Sequence, residues 1–183
     1  MKALIRTARE YGATLGVLEA VECANQRQKS RLFEKLRSAL GDNVRGAHIA
    51  IWGLAFKPNT DDLREAPSLS LIEALVDAGA TAAAHDPAAM PAARLLIGDV
   101  VRYVETSYEA LDGADALVIV TDWNEYRHPD FGRMKAALRR PVVIDSRNLY
   151  RPEKMKSLGF TYDSIGRGPA EEAVRNELAA GIV

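Results

Sequence analysis

The stretch GAHIAIWGLAFKPN, residues 46–59, marks a change in the character of the chain. Its first half, from His48 to Trp52, is a nearly continuous apolar run, the signature of a strand buried on both faces in a parallel sheet rather than one alternating between core and water. Its second half passes into a loop carrying Lys57, a proline and an asparagine. Upstream the periodicity is helical. Leu18, Val21, Asn25, Leu32, Leu36 and Leu40 recur at three- and four-residue steps, and Gly41-Asp42-Asn43 supplies a stop, which predicts one long helix over about 17–40. A shorter helical pattern, Leu4 to Tyr11, precedes it and ends where Gly12 and Gly16 break the run.

Downstream, strands alternate with helices. SLSLIEALVDAGA places Leu69, Ile72, Leu75 and Val76 on one helical face and stops at Gly79. The segments TAAAHD, VVRYV, ALVIVT, PVVID and FTYDS read as strands, with SYEALDGA and HPDFGRMKAALRR as helices among them. Strands joined by helical crossovers build a parallel sheet covered on both sides. The expectation is therefore an α/β chain: a helical segment over 1–45, a Rossmann-like, doubly wound domain over 46–167, and a tail over 168–183 that reads as a terminal helix or a frayed end.

Composition narrows the function classes. A chain of 183 residues, 48% hydrophobic and with a formal net charge of -1, has the apolar content of a globular core and no global basic field. With no Lys/Arg block interleaved with aromatics, nucleic acid is not an expected partner. The apolar runs are far shorter than a bilayer span and MKALIRTARE lacks the apolar segment of a secretion signal, so a cytoplasmic protein without a membrane partner is expected. The single cysteine, Cys23, allows no internal disulfide and no Cys/His zinc cluster, and no metal site is expected.

Open parallel sheets bind ligands beyond the carboxyl ends of their strands, where the strand order reverses. Phe56, Lys57 and Arg64 follow the first strand, Asp122, Trp123 and Asn124 follow ALVIVT, and Ser146, Arg147 and Asn148 follow PVVID. Lys57, Arg64 and Arg147 on one rim suit an anion, and a planar guanidinium can grip phosphate oxygens through two hydrogen bonds. Phe56 or Trp123 could stack on a base. The alternative is a set of solvated loop charges pairing with Asp61, Asp62 and Glu65. The first strand lacks G-x-G-x-x-G, having the single Gly53, so the sheet is not expected to hold a dinucleotide by itself.

GLAFKPNTDDLREAPS (53–68), TDWNEYRHPDF (121–131), VVIDSRNLY (142–150) and SIGR (164–167) together resemble the carboxyl-terminal half of the UDP-glucose/GDP-mannose dehydrogenase family, and within it the UDP-glucose 6-dehydrogenase branch. The resemblance covers nearly the whole chain. It implies a four-electron, NAD-dependent oxidation of UDP-glucose to UDP-glucuronate through a thiohemiacetal and a thioester on a cysteine. The family motif carrying that cysteine, and the amino-terminal domain that binds NAD and carries a catalytic lysine, would precede Met1. No catalytic residue is therefore assigned within this sequence, and turnover by this chain alone is not expected.

Carried over by position, the resemblance implies that Phe56 and Lys57 contact the nucleotide sugar. Arg147, in DSRN, matches the arginine that contacts the UDP-sugar, with Ser146 standing where glycine is usual and so narrowing the backbone's freedom. Arg64 matches the arginine that reaches the NAD pyrophosphate. The helix in AREYGATLGVLEAVECANQRQK looks like the family's dimerisation helix and implies a homodimer that charge at Leu32 or Leu36 would disrupt. GDP-mannose and UDP-N-acetylmannosamine dehydrogenases are the rival enzymes, and a non-catalytic dimerisation or nucleotide-sugar-binding module is the rival class.

The remaining polar residues have plainer readings. Asn25, on the stripe of the long helix, either hydrogen-bonds across a helix pair or touches substrate. Trp123 reads more readily as packing than as a stacking platform. His48, His85 and His128 read as structural or surface residues, and Cys23 as an inert packing residue.

Overall fold

The computed structural model describes residues 1–167 of the chain; the expected tail, 168–183, lies outside the described residues. Two helices come first, α1 (Lys2–Glu10) and α2 (Gly16–Leu40). α2 ends as its sequence requires, with Gly41 left-handed at φ 90° and its N–H turned back to the carbonyls of Arg37 and Ser38.

Six strands follow, β1 (His48–Trp52), β2 (Thr81–His85), β3 (Arg102–Tyr103), β4 (Ala116–Ile119), β5 (Val142–Asp145) and β6 (Thr161–Ser164). They form one sheet in the order β3-β2-β1-β4-β5-β6, and every adjacent pair is parallel. The crossovers contain α3 (Pro67–Asp77), α4 (Met90–Ile97), α5 (Ser107–Leu111), a 3-10 turn (Asn124–Tyr126) with α6 (Phe131–Ala137), and α7 (Pro152–Ser157). This is the expected doubly wound, Rossmann-like α/β sheet. The helices α4 and α7, unassigned from sequence, complete the crossovers. Both begin with proline in their first turn, where the missing N–H costs nothing.

Alternate residues of β1 divide between two cores. Ile49 and Ile51 pack with Leu32, Leu36 and Leu40 of α2, Leu71 and Leu75 of α3, and Ala93 of α4. Ala50 and Trp52 face the other way, onto Leu111 of α5, Met134 of α6 and Met155 of α7. The continuous apolar run thus reflects burial on both faces.

One expectation changes here. Leu32 and Leu36, read as dimer contacts, are buried beneath the chain's own sheet. A helical stripe records that a face is covered without recording what covers it. The exposed apolar side chains of this unit lie further towards the N-terminus, at Leu4, Tyr11, Val17 and Val21. No helix among the described residues is long and apolar enough to cross a membrane.

Candidate nucleotide-binding groove

Strand order reverses between β1 and β4, and their carboxyl ends cross closely. Gly53 leaves β1 at φ 91°, and a Cβ built there would lie 2.4 Å from Thr121 Cβ. Only glycine fits both the backbone and the space. This glycine therefore serves the crossing of two strand ends. The chain then runs through a long loop to α3 at Pro67, with no glycine-rich turn opening directly into a helix. Such a loop does not fit a dinucleotide pyrophosphate in the usual way.

Two buried carboxylates organise the rim. Asp86, just after β2, accepts from the backbone N–H groups of Leu54 at 2.6 Å, Ala55 at 3.0 Å, Ala88 at 2.9 Å and Ala89 at 2.8 Å, and from Trp123 Nε1 at 3.0 Å. Asp145, at the end of β5, accepts from the N–H groups of Arg147 at 2.8 Å and Leu149 at 2.7 Å and from the Tyr162 hydroxyl at 2.8 Å. Each ties loop backbone to a strand end. Trp123 is thereby assigned to packing, as the sequence favoured. Burial, with Asp145 beside it, pushes the Tyr162 phenol well above its ordinary value, so Tyr162 serves Asp145 as a neutral donor.

Arg147 is fixed by carbonyls. Its Nε donates to Val120 O at 2.7 Å and its Nη2 to Phe56 O at 2.8 Å, so the guanidinium ties the loops after β1, β4 and β5 together. The nearest carboxylate in an ion pair with it, Asp122, stands 4.0 Å away and is itself held by Arg127 at 2.8 Å. A guanidinium held mainly by neutral acceptors keeps its charge and its remaining N–H donors for an anion. Ser146 does not adopt the left-handed backbone that would have demanded glycine; that conformation falls on Asn148, φ 57°. Asparagine tolerates it better than most residues, and the serine therefore leaves the arginine's placement intact.

Between this rim and α2 lies a groove of about 950 Å³, a volume that suits a nucleotide-sized ligand. Phe56, Arg64, Ser146 and Arg147 line one side, and Asn25, Gln28, Lys29 and Leu32 of α2 the other. Lys2, Lys29, Arg64 and Arg147 set four cations in the lining against the carboxylates Glu22 and Glu65, a balance that favours an anionic occupant. Of the expected site residues, the fold brings Phe56, Arg64 and Arg147 to the groove. Lys57 is exposed outside its lining.

Arg64 is 89% exposed at its side chain and grips Asp62 through Nε at 2.9 Å and Nη2 at 2.8 Å. Those bonds hold the Asp62 carboxyl at about 2, well below the usual carboxylate range. One of the expected loop pairings is therefore present, beside an Arg147 that has none so close. Lys29 escaped the sequence reading, and Glu65, expected only as a loop charge pairing with the rim cations, pairs instead with Lys2 and Lys29. Lys29 sits four residues after Asn25, on the face of α2 that Asn25 marks, whereas nothing in the sequence reports the left-handed backbone of Glu65, φ 61°.

The other residues singled out from the sequence resolve more simply, and one is corrected. Asn25 is exposed at the groove, whose lining it shares with Lys2 and Ala3 of α1. His85 is buried, its Nδ1 2.9 Å from the Tyr126 hydroxyl; His48 opens β1 beside Thr81, and His128 is exposed. Cys23 is exposed in a crease between α1 and α2, so the packing role expected for it is not the one it has: it lies on the turn of α2 that faces neither core. Among the described residues no cluster of three or more His, Cys, Asp or Glu could hold a metal ion.

The comparisons with known proteins agree with this geometry. Residues 50–152, which run from β1 to the start of α7 and include Phe56, Lys57, Arg64 and Arg147, match the sequence model of the UDP-glucose/GDP-mannose dehydrogenase family, UDP binding domain. The chain is 46% identical over 178 residues to the UDP-glucose 6-dehydrogenase of Pseudomonas aeruginosa, the match covering 91% of this chain and 38% of that protein. It is 42% identical over 165 residues to the UDP-glucose 6-dehydrogenase of Rhizobium meliloti, covering 90% and 38% respectively. Among solved structures, a UDP-glucose dehydrogenase from Pyrobaculum islandicum superposes with a TM-score of 0.75 at 33% identity, over 91% of this chain and 36% of that one. The chain thus spans about 38% of the length of the curated relatives it matches. A parallel sheet wound in the order 3-2-1-4-5-6, an arginine strung across its switch point, and a family match over more than half of the sequence lead to one assignment: this chain belongs to the UDP-glucose/GDP-mannose dehydrogenase family.

Proposed function

We propose that this chain is the nucleotide-gripping part of a UDP-glucose 6-dehydrogenase, whose whole reaction is the NAD-dependent oxidation of UDP-glucose to UDP-glucuronate. The observation that carries this reading is Arg147, a cation pinned to two carbonyls at the floor of a nucleotide-sized groove, with no carboxylate in close contact among the described residues. In this reading Arg147 meets the diphosphate or uridine portion of the UDP-sugar, Phe56 packs against it, and Lys57 swings in from the adjoining position. Arg64, exposed and held only by its own loop, is the residue that would release Asp62 and reach the NAD pyrophosphate; the rest of the NAD site lies in parts of the enzyme outside this sequence. NAD supplies the hydride acceptor when bound. This chain contributes binding and orientation, and oxidation by the chain alone is not expected. The sequence of the 53–68 loop and the identity to UDP-glucose 6-dehydrogenases favour UDP-glucose over GDP-mannose or UDP-N-acetylmannosamine as the sugar nucleotide.

The same reading includes a homodimer, supported by the exposed Leu4 of α1, Tyr11 at its end, and Val17 and Val21 in the first turns of α2, and a cytoplasmic location, supported by an exposed single cysteine suited to a reducing compartment.

The test is a calorimetric titration of the chain with UDP, with GDP as the comparison. UDP should bind in preference to GDP, and Arg147→Ala should weaken UDP by roughly 1–3 kcal/mol, the range for a lost charge-assisted hydrogen bond. Equal affinity of wild type and Arg147→Ala for UDP removes Arg147 from the site.

A further inference from the structure

The loop between Gly53 and Pro67 carries two non-glycine residues in the left-handed region, Asn59 at φ 61° and Glu65 at φ 61°. Asparagine visits that region readily. Glutamate does not, and residues held in such a conformation persist only where their surroundings over-determine them, often at ligand clamps. What surrounds Glu65 is plain. Its carboxylate accepts from Lys2 Nζ at 2.7 and 2.9 Å and from Lys29 Nζ at 2.6 Å. Lys2 belongs to α1 and Lys29 to α2, so one side chain of the sheet-side loop is held by both N-terminal helices. The Lys29 side chain is 15% exposed but that of Glu65 is 52% exposed, so the pair is half open to solvent and its effect is one of geometry more than of large stabilisation. All three residues line the groove. Arg64, the residue before it, donates to Asp62 instead.

We infer that Glu65 is a positioning residue for the groove: through Lys2 and Lys29 it latches the 56–63 loop to the helical unit, and this latch holds Phe56 where a nucleoside diphosphate meets it. The inference rests on the reading of the groove as a nucleotide site. The two cations account for the Glu65 carboxyl standing at about 2, below its ordinary 4.5. Lys2, lying also 3.5 Å from Glu22, stands above its ordinary value, chiefly through its bond to Glu65.

Backbone amide hydrogen exchange and UDP calorimetry are measured on the full chain as wild type, Glu65→Gln, Lys29→Gln, Lys29→Arg and the double variant Glu65→Gln/Lys29→Gln. The latch requires faster exchange across residues 56–64 in the two glutamine variants, with exchange in β1 and β4 unchanged. It requires near-wild-type exchange in Lys29→Arg, which keeps the charge, and a double variant no looser than Glu65→Gln alone, since Lys29→Gln leaves the Lys2 bond in place. Loop exchange unchanged in Glu65→Gln overturns the inference, as does a double variant whose loosening is the sum of the singles. UDP affinity should fall about fivefold in Glu65→Gln, as expected if the binding-competent loop becomes a minority conformation, and unchanged affinity in a wild type that binds UDP also overturns it. If the wild type binds no UDP, the nucleotide reading fails, and hydrogen exchange still decides the latch.

Discussion

The Arg147 guanidinium donates to the carbonyl oxygen of Phe56 at 2.8 Å, joining residues 91 positions apart in sequence. The bond runs from the loop after β5 to the loop after β1, and a second one, to Val120, secures the loop after β4. One side chain thereby ties the three loops on which a ligand at the switch point of this sheet must rest. A group so fixed loses little further freedom when an anion arrives, which favours affinity over adaptability.

Gly53 should tolerate no side chain. Gly53→Ala puts a Cβ 2.4 Å from Thr121 Cβ on a backbone at φ 91°, and overpacking together with left-handed strain should cost roughly 2–4 kcal/mol. Urea denaturation reads this as a lower midpoint at unchanged slope. A midpoint equal to wild type would mean that the ends of β1 and β4 separate easily.

Asp86 should be among the costliest polar residues to remove. It is fully buried and accepts five hydrogen bonds, four of them from backbone N–H groups. Asp86→Ala strands those donors, and at about 1–3 kcal/mol for each one left unsatisfied the loss should reach at least about 3 kcal/mol even after water enters. Thermal denaturation of Asp86→Ala and Asp86→Asn checks it: the asparagine variant, which keeps one acceptor oxygen, should fall between alanine and wild type.

Charge placed at two points of α2 should separate folding from assembly. Leu36→Asp buries a carboxylate in the core beneath β1 and should unfold the chain or reduce it to a loosely packed state. Val21→Asp, at an exposed position, should leave the fold intact, seen by circular dichroism, and convert the proposed homodimer to monomers in light scattering. A wild-type mass already monomeric, or one unchanged in Val21→Asp, excludes that part of α2 from a dimer interface.

The sheet was legible because burial on both faces leaves an unmistakable trace. His48–Trp52, Ala116–Ile119 and Val142–Asp145 are short apolar runs of the kind a parallel sheet produces. The placement of Phe56, Arg64 and Arg147 followed from the strand-end rule and from the resemblance. The partner of the α2 stripe was not legible, since Leu32 looks the same in sequence whether it meets its own sheet or another subunit. Asp86, and the helical partners of Glu65, were hidden for different reasons. The role of the first lies in backbone donors, which every sequence possesses, and that of the second depends on a backbone conformation glutamate rarely adopts.

The long helix α2 also has a mechanical meaning. Its 25 residues form a single uninterrupted rod, about 37 Å long at 1.5 Å per residue. Its last turns are embedded under the sheet, its middle supplies one wall of the groove, and its first turns touch only α1, through the Arg9–Glu19 pair, among the described residues, with Val17 79% exposed. A rod clamped at one end bends or pivots as a whole when its free end is gripped. Any body that seats on those first turns therefore holds a handle on the width of the groove, and assembly and ligand occupancy become two loads on the same beam.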